Sequence, residues 1–320
     1  MVKLAVKKGN IGNFFDSWYK GALVNKGIEI NKLKDVLNEV PVTPKNILDY
    51  GCGQGDLIPL LSEKFPDAQI TGIEVSKNGV EAAKQLFPEY KFLLYDGENI
   101  PFPDNSFDLV FSSHVLDAVW NLEKAFAEIS RVLKKGGILC VVMPCGNKGS
   151  FEERITCLVR GGKEASVDGR TRFFYSYAAH IRRLESSELI ELLAENNVKI
   201  YKEIYGCQFW GAINWISKSS IPLLNDLFDY KKSVNAYAKI KLIILKIVFI
   251  FLFIIVKPSI VNFKKIKNSS KMKKIILICL IIFKPISVVF SKVLTFFALL
   301  EWQFRKTSKN GSAQYLLFLK

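Results

Sequence analysis

The 320-residue chain is 49% apolar, with 24 Phe and five Trp, which is ample for a buried core. Its net charge of +15 would suggest an acidic partner such as nucleic acid or anionic lipid, but the charge is uneven: fourteen lysines and no acid lie between Asp229 and Glu301, leaving 31 basic against 30 acidic residues elsewhere. The six cysteines form no C-x-x-C pair and only two histidines could join them, which argues against a metal site and for reduced thiols, and the polar turn taken soon after Met1 argues against a secretory leader.

The aromatic cluster Phe14, Phe15, Trp18 and Tyr19 opens an N-terminal segment, residues 1–44, that reads either as a lid or as ordinary packing. Ile30, Leu33, Val36, Leu37 and Val40 are spaced for a leading helix. From Pro44 to Pro144 short apolar runs alternate with helix-period segments. "NILDY", "AQITGIEV", "YKFLLYD", "SFDLVFSS" and "GGILCVVMP" read as strands, and "DLIPLLSEKF", "KNGVEAAKQLF" and "NLEKAFAEISRVL" as helices. Continuous rather than alternating apolar strands suit a sheet covered on both faces, so the fold class expected is α/β, a doubly wound, Rossmann-like, mostly parallel sheet. Phe151 to Arg183 reads as an irregular insertion, "SSELIELLAENN" as a Ser-capped helix with Glu188 close behind, and "VKIYKEIYG" as a further strand. These elements define a domain over residues 45–230, and the remaining residues, 231–320, read as a basic, apolar helical region.

"LDYGCGQGD" places Gly51, Gly53 and Gly55 between a strand and a helix, where glycine permits a sharp turn and a close approach to a ligand, and the helix N-terminus offers N–H donors. Glu74 closes the second strand 19 residues after Gly55, where a carboxylate can accept ribose hydroxyls, and Asp96 closes the third. The ordered series "ILDYGCGQG", "TGIEVS", "YDGENIPFPDNSFDLVFSSHVL" and "EISRVLKKGG", covering roughly residues 45–145, resembles the motifs of class I S-adenosylmethionine-dependent methyltransferases, especially the quinone, sterol and sugar branch. The resemblance implies S-adenosyl-L-methionine as cofactor. It also implies that Asp49, Gly51, Gly53 and Gly55 hold its methionine end, Glu74 its ribose, Asp96 with Gly97 its adenine, that Val75 also binds it, and that Ser113 and His114 line the floor near the sulfonium. Ala118 stands where the family often has histidine after an acid, and Lys134-Lys135-Gly136-Gly137 replaces the usual Lys-Pro-Gly-Gly turn. A dinucleotide fold competes, but Asp56 occupies the place of its third glycine, and an acid there would repel a pyrophosphate.

His114 is the candidate general base, ahead of Asp117 and His180, although a histidine at that position can equally serve to hydrogen-bond backbone. Arg182 and Arg183 read as a solvated basic cap or as contacts to an anionic substrate. In the C-terminal region Leu242 to Val256 and Ile275 to Leu300 are apolar but interrupted by lysines, short of the roughly 20 uninterrupted residues of a spanning helix. Lys239, Lys246, Lys257 and Lys264 form one stripe, and Lys273, Lys274, Lys284, Ser287, Ser291, Lys292 and Thr295 another, as in helices lying at a bilayer surface. A two-pass hairpin with its lysine-rich connector in the cytosol would put the catalytic domain outside, so surface or re-entrant association at a cytoplasmic membrane face, on anionic lipid, is preferred to spanning. Lys231 to Leu300 contains no Arg, which makes nucleic acid the weaker partner. The expected function is methylation of a hydrophobic or lipid-linked acceptor, first an oxygen on a glycan or polyprenyl-linked sugar. A quinone or other lipid, a non-catalytic cofactor-binding membrane adaptor and an RNA methyltransferase are the alternatives.

Overall fold

The computed structural model describes residues 28–159, 163–165, 170–173, 181–260 and 271–320. The aromatic cluster at Phe14 to Tyr19, His180 and Lys264 fall outside them. The chain divides into two compact units, Met1–Asn147 with Glu164–Tyr205 and Ala313–Lys320, and Lys148–Lys163 with Gly206–Ser312.

In the first unit, helix α1 (Ile28–Asn38) precedes β1 (Asn46–Tyr50), α2 (Ile58–Lys64), β2 (Gln69–Glu74), α3 (Lys77–Leu86), β3 (Lys91–Leu94), β4 (Phe107–Ser113), α4 (Leu122–Val132) and β5 (Leu133–Pro144). After helix α5 (Phe151–Leu158), which belongs to the second unit, come the paired short strands β6 (Lys163–Ala165) and β7 (Thr171–Phe173), then α6 (Ser186–Ala194) and β8 (Lys199–Gly206). Helices α7 (Trp210–Ser217), α8 (Ile221–Leu227), α9 (Ala236–Ile260) and α10 (Lys271–Arg305) follow, and β9 (Ala313–Leu319) ends the chain. The seven-stranded sheet runs β3-β2-β1-β4-β5-β9-β8; β1 pairs in parallel with both β2 and β4, and β9 runs antiparallel to β5. This is the doubly wound sheet expected from the sequence.

The core follows from the apolar strands. Leu48, Val110, Leu139, Val141, Leu316 and Phe318 are fully buried and join Phe126, Ile129 and Val132 of α4 in one cluster. Asn121 caps α4, its side chain accepting from Lys124 N at 3.0 Å. Three local expectations change. The Lys134–Gly137 stretch is no free turn but lies within β5, where the register with β4 shifts between Phe107 and Leu109 and Gly136 takes a φ of +78°. The N-cap of α6 is Glu185, with no side-chain capping bond, and the Ser186 hydroxyl is engaged by Asn147 Nδ2 at 3.0 Å. The chain also returns: residues 313–319, assigned from sequence to the helical region, pair with β5 from Ile138↔Leu319 to Pro144↔Ala313.

The second unit is helical. Glu301 of α10 accepts the backbone N–H groups of Phe209, Trp210 and Gly211 at 2.8, 3.0 and 2.9 Å, supplying the cap that the α7 N-terminus lacks locally. Glu152 of α5, buried, accepts from Trp215 Nε1 at 2.6 Å. Ser287 of α10 donates to Val256 O at 3.1 Å and accepts from Ser259 N at 2.9 Å, tying α10 to α9.

The lysine stripes are placed differently from expectation. On α9 the buried face is Ala238, Leu242, Phe249, Phe253 and Val256, and the opposite, exposed face is also apolar: Tyr237, Ile240, Ile244, Ile247, Val248, Phe251 and Ile254. At about 3.6 residues per turn, Lys239, Lys246 and Lys257 flank one side of that exposed face and Lys241 the other. On α10 Ile286, Val289, Val293, Phe296, Phe297, Leu300 and Phe304 form the same kind of outward face. On α9 the lysines thus edge an apolar surface instead of forming a polar one, and on α10 the exposed Lys292 borders the outward face. Phe283–Arg305, with a mean hydropathy of 1.7, is the one helical segment among the described residues long and apolar enough to cross a membrane.

Candidate active site

In an open α/β sheet ligands bind outside the carboxyl ends of the strands where the strand order turns, and here those strands are β1 and β4, adjacent and parallel. Asp49 stands near the end of β1, buried, and its carboxyl is pushed up to about 7, first by burial and then by the charges of Glu74 and Asp56. Among the described residues its Oδ2 has no hydrogen-bond partner. The loop beyond it turns through Gly51, Gly53 and Gly55 at φ of +77°, +56° and +83°, the left-handed region that glycine enters without penalty. A Cβ on Gly51 would lie 2.3 Å from Val115 Cγ2, so the loop and the start of the segment after β4 touch at van der Waals distance only because that carbon is missing. The N–H groups of Gly51 and Cys52 both donate to Ile73 O, at 2.9 and 3.0 Å, and anchor the loop on β2.

Glu74, at the end of β2, takes a structural part that its spacing did not reveal. Oε2 accepts from Gly53 N at 3.0 Å, and Oε1 accepts from Val75 N and Ser76 N, each at 2.9 Å. One carboxylate therefore fixes the glycine loop and the entry to α3, where Ser76 caps Gly79 N at 3.0 Å. Gly97 has a φ of +82° and comes within reach of Val75, whose Cγ1 would be 3.3 Å from an added Cβ. Asp96 is folded onto its own turn: Oδ1 accepts from Glu98 N and Asn99 N and Oδ2 from Asn99 Nδ2, all at 2.7 Å, and these bonds, that from Asn99 N first, hold its carboxyl below the usual range. Helix α2 is only seven residues long and starts at Ile58, later than the glycine loop suggests.

At the end of β4, Ser113 is half-buried and His114 is exposed, with a φ of +56° and its backbone N–H donating to Val142 O at 2.7 Å. Neighbouring Ser112 has a buried Oγ without a partner, a residue that a polar ending to an apolar strand could have signalled. The structure thus brings Asp49, Gly51, Gly53, Gly55, Glu74, Val75 and Gly97 into one constellation, with Ser113 and His114 on the adjoining strand end. It does not bring Arg182 and Arg183 to a solvated cap. Arg182 is buried and donates through Nη1 to Leu116 O at 3.0 Å and to Val119 O, and through Nη2 to Trp120 O at 3.2 Å, while Arg183 Nε donates to Cys145 O at 2.9 Å. Both guanidiniums brace backbone carbonyls, which a charge pattern alone cannot distinguish from exposure. Among the described residues no group of His, Cys, Asp or Glu could hold a metal ion.

A sulfonium cofactor carrying an amino-acid head fits this donor set. An unpartnered buried carboxylate oxygen beside a loop of positive-φ glycines suits an ammonium group.

The methyltransferase-domain family matches residues 48–141. A demethylmenaquinone methyltransferase of Thermotoga maritima is 33% identical over 101 residues, 32% of this chain and 44% of that protein. A trans-aconitate 2-methyltransferase of Methylobacterium radiotolerans is 31% identical over 201 residues, 60% of this chain and 75% of that protein. The solved structure of the [4+2]-cyclase SpnF superposes with a TM-score of 0.53 at 17% identity, covering 99% of this chain and 97% of that one, which speaks for the fold alone. The chain belongs to the class I S-adenosylmethionine-dependent methyltransferases, the family whose cofactor is S-adenosylmethionine. It spans about half or less of the length of the quinone-type relatives it matches.

Proposed function

We propose that the protein transfers a methyl group from S-adenosylmethionine to a hydrophobic or lipid-linked acceptor at the cytoplasmic face of a membrane. The observation that carries the cofactor half is the orphaned, buried Asp49 Oδ2 beside the glycine loop. The cofactor supplies an electrophilic methyl on a sulfonium. Asp49 holds the amino group, Gly51, Gly53 and Gly55 let the backbone approach, Glu74 and Val75 border the ribose, and Asp96 and Gly97 border the adenine. Methyl transfer needs in-line approach and exclusion of water more than strong acid–base chemistry, and His114 is the candidate base where the acceptor carries a hydroxyl.

The acceptor class is supported by the apolar, lysine-edged outer faces of α9 and α10, which suit an enzyme docked where its acceptor dissolves. Lys292 is exposed within Phe283–Arg305, and a lysine at a bilayer centre costs about 2.5–3.5 kcal/mol, while Glu301 is engaged by the α7 N-terminus. Both favour lying on the bilayer over crossing it. An oxygen on a polyprenyl-linked sugar is the first candidate acceptor; a quinone is the second, supported by the relative named for demethylmenaquinone.

Incubating the purified protein with methyl-labelled cofactor and a native membrane extract should put label into the organic-solvent-soluble fraction. Label in RNA instead, or cofactor binding without any transfer, would overturn the reading. His114→Ala should lower turnover by roughly 10²-fold or more with cofactor affinity unchanged, if the acceptor is a hydroxyl.

A further inference from the structure

The helical unit holds a cavity of about 840 Å³ that takes no part in the cofactor site. Phe151, Phe209 and Ile244 give it apolar walls, and three cations reach it from three separate elements: Arg154 from α5, Lys241 from α9 and Arg305 from the end of α10. Among the described residues none of the three has an ion-pair partner, and Lys241 Nζ sits 4.5 Å above the Tyr237 ring. The single acid in the lining, Glu153, is already committed. Its Oε2 accepts from Gly149 N at 3.1 Å, its Oε1 from Cys157 Sγ at 3.0 Å, and its backbone N–H donates to Ser150 Oγ at 3.1 Å. That arrangement resembles a capping box, with the carboxylate reaching the N–H of Gly149 just before the Ser150 cap; it spends the carboxylate on the N-terminus of α5 and leaves the cations facing the cavity.

We propose that this cavity binds a lipid phosphate: the headgroup between Arg154, Arg305 and Lys241, and the chain along Phe209 and Ile244. Arginine forks match phosphate oxygens in pairs, and the exposed Phe209 and Ile244 beside them offer apolar surface that a bound chain would cover. The volume is that of a site for a ligand much larger than an inorganic anion, and apart from Gln208 and Asn310 the remaining lining is largely apolar. Ile244 belongs both to the cavity wall and to the exposed apolar face of α9, so a chain leaving the cavity meets a surface of its own kind. All three cations are exposed, but they converge from three elements on one site, unlike a charge run along a single helix. The site goes beyond the methyl-transfer reading and does not depend on it.

Calorimetry on the full-length protein, with dodecyl phosphate below its micellar concentration, dodecyl maltoside and inorganic phosphate as separate titrants, tests the proposal. Dodecyl phosphate should bind at least about tenfold more tightly than either of the others, because only it satisfies both cations and apolar wall. Arg154→Gln with Arg305→Gln, and independently Lys241→Gln, should weaken it by about tenfold and about threefold, with cofactor affinity and melting temperature unchanged. Ile244→Asn should weaken dodecyl phosphate and leave inorganic phosphate unaffected. Equal binding of the maltoside would reduce the cavity to generic apolar surface, and equal binding of inorganic phosphate would make it a free-anion site. Unchanged dodecyl phosphate affinity in Lys241→Gln and in the folded double variant would equally overturn the assignment.

Discussion

Asp49 concentrates a conflict between stability and binding in one side chain. In the folded chain it keeps its proton up to about pH 7, whereas the usual value is 3.8, so between these values the folded state binds more protons than the unfolded one. Asp49 therefore lowers the stability of the ligand-free protein progressively as pH rises from about 4 to 7, and no further above that. A cationic ligand head reverses the preference, because it binds the ionised form. Cofactor affinity should rise with pH through about 7 and then level off, and Asp49→Asn should flatten that profile while weakening binding by tenfold or more, at about 1.4 kcal/mol per tenfold. The same variant should melt higher than the wild type at pH 8 in the absence of ligand. A variant that keeps the wild-type pH profile of binding would remove Asp49 from the site. Gly51 offers a second contrast: Gly51→Ala meets both a positive φ and Val115 at 2.3 Å, whereas Gly136→Ala, at φ +78°, meets nothing within 4 Å. The second should cost about 1 kcal/mol and the first clearly more, with Val115→Ala recovering part of the difference in a denaturant titration.

Elements with a strong period were legible before the structure, and elements defined by what the chain does far away were not. The five strands from Asn46 to Pro144 and the capped helix α4 follow from apolar runs and helical spacing, as does the glycine loop. Strand β9 was hidden because "AQYLLFLK" follows a long helical, lysine-rich stretch, and only pairing with β5 reveals that the chain comes back to the sheet. At the site, spacing located Glu74 but not its grip on Gly53, Val75 and Ser76, since hydrogen bonds from a side chain to backbone leave no periodic trace. Arg182 and Arg183 were misread for a related reason: nothing in "IRRLE" distinguishes a guanidinium bonded to three carbonyls from one in water. If β9 is an integral strand, Phe318→Ala, which empties a fully buried position, should cost about 3–5 kcal/mol and lower the melting temperature of the whole sheet unit. A change near zero would mean that β9 is dispensable.

For the whole molecule the decisive feature is that α9 and α10 each carry two apolar faces, one buried and one exposed. A helix that packs on its own unit with one face and turns isoleucines and phenylalanines outward with the other has hydrophobic surface to spare, and lysines along its edges can bury their stems while their ammonium groups reach lipid phosphates. Each lysine near an anionic leaflet contributes about 1 kcal/mol, weakened by salt, whereas the apolar contribution is indifferent to salt. The two contributions can therefore be separated. Glutamate at Ile247, Phe251 and Val293, all exposed, should release the protein from vesicles of any charge without lowering its melting temperature. Glutamine at Lys239, Lys246, Lys257 and Lys292 should weaken binding to anionic vesicles alone and remove most of its salt dependence. A surface-bound protein should also leave native membranes in alkaline carbonate. Retention through that extraction, together with insensitivity to the lysine replacements, would mean that Phe283–Arg305 crosses the bilayer and that the outward faces of α9 and α10 are a lipid-embedded pair.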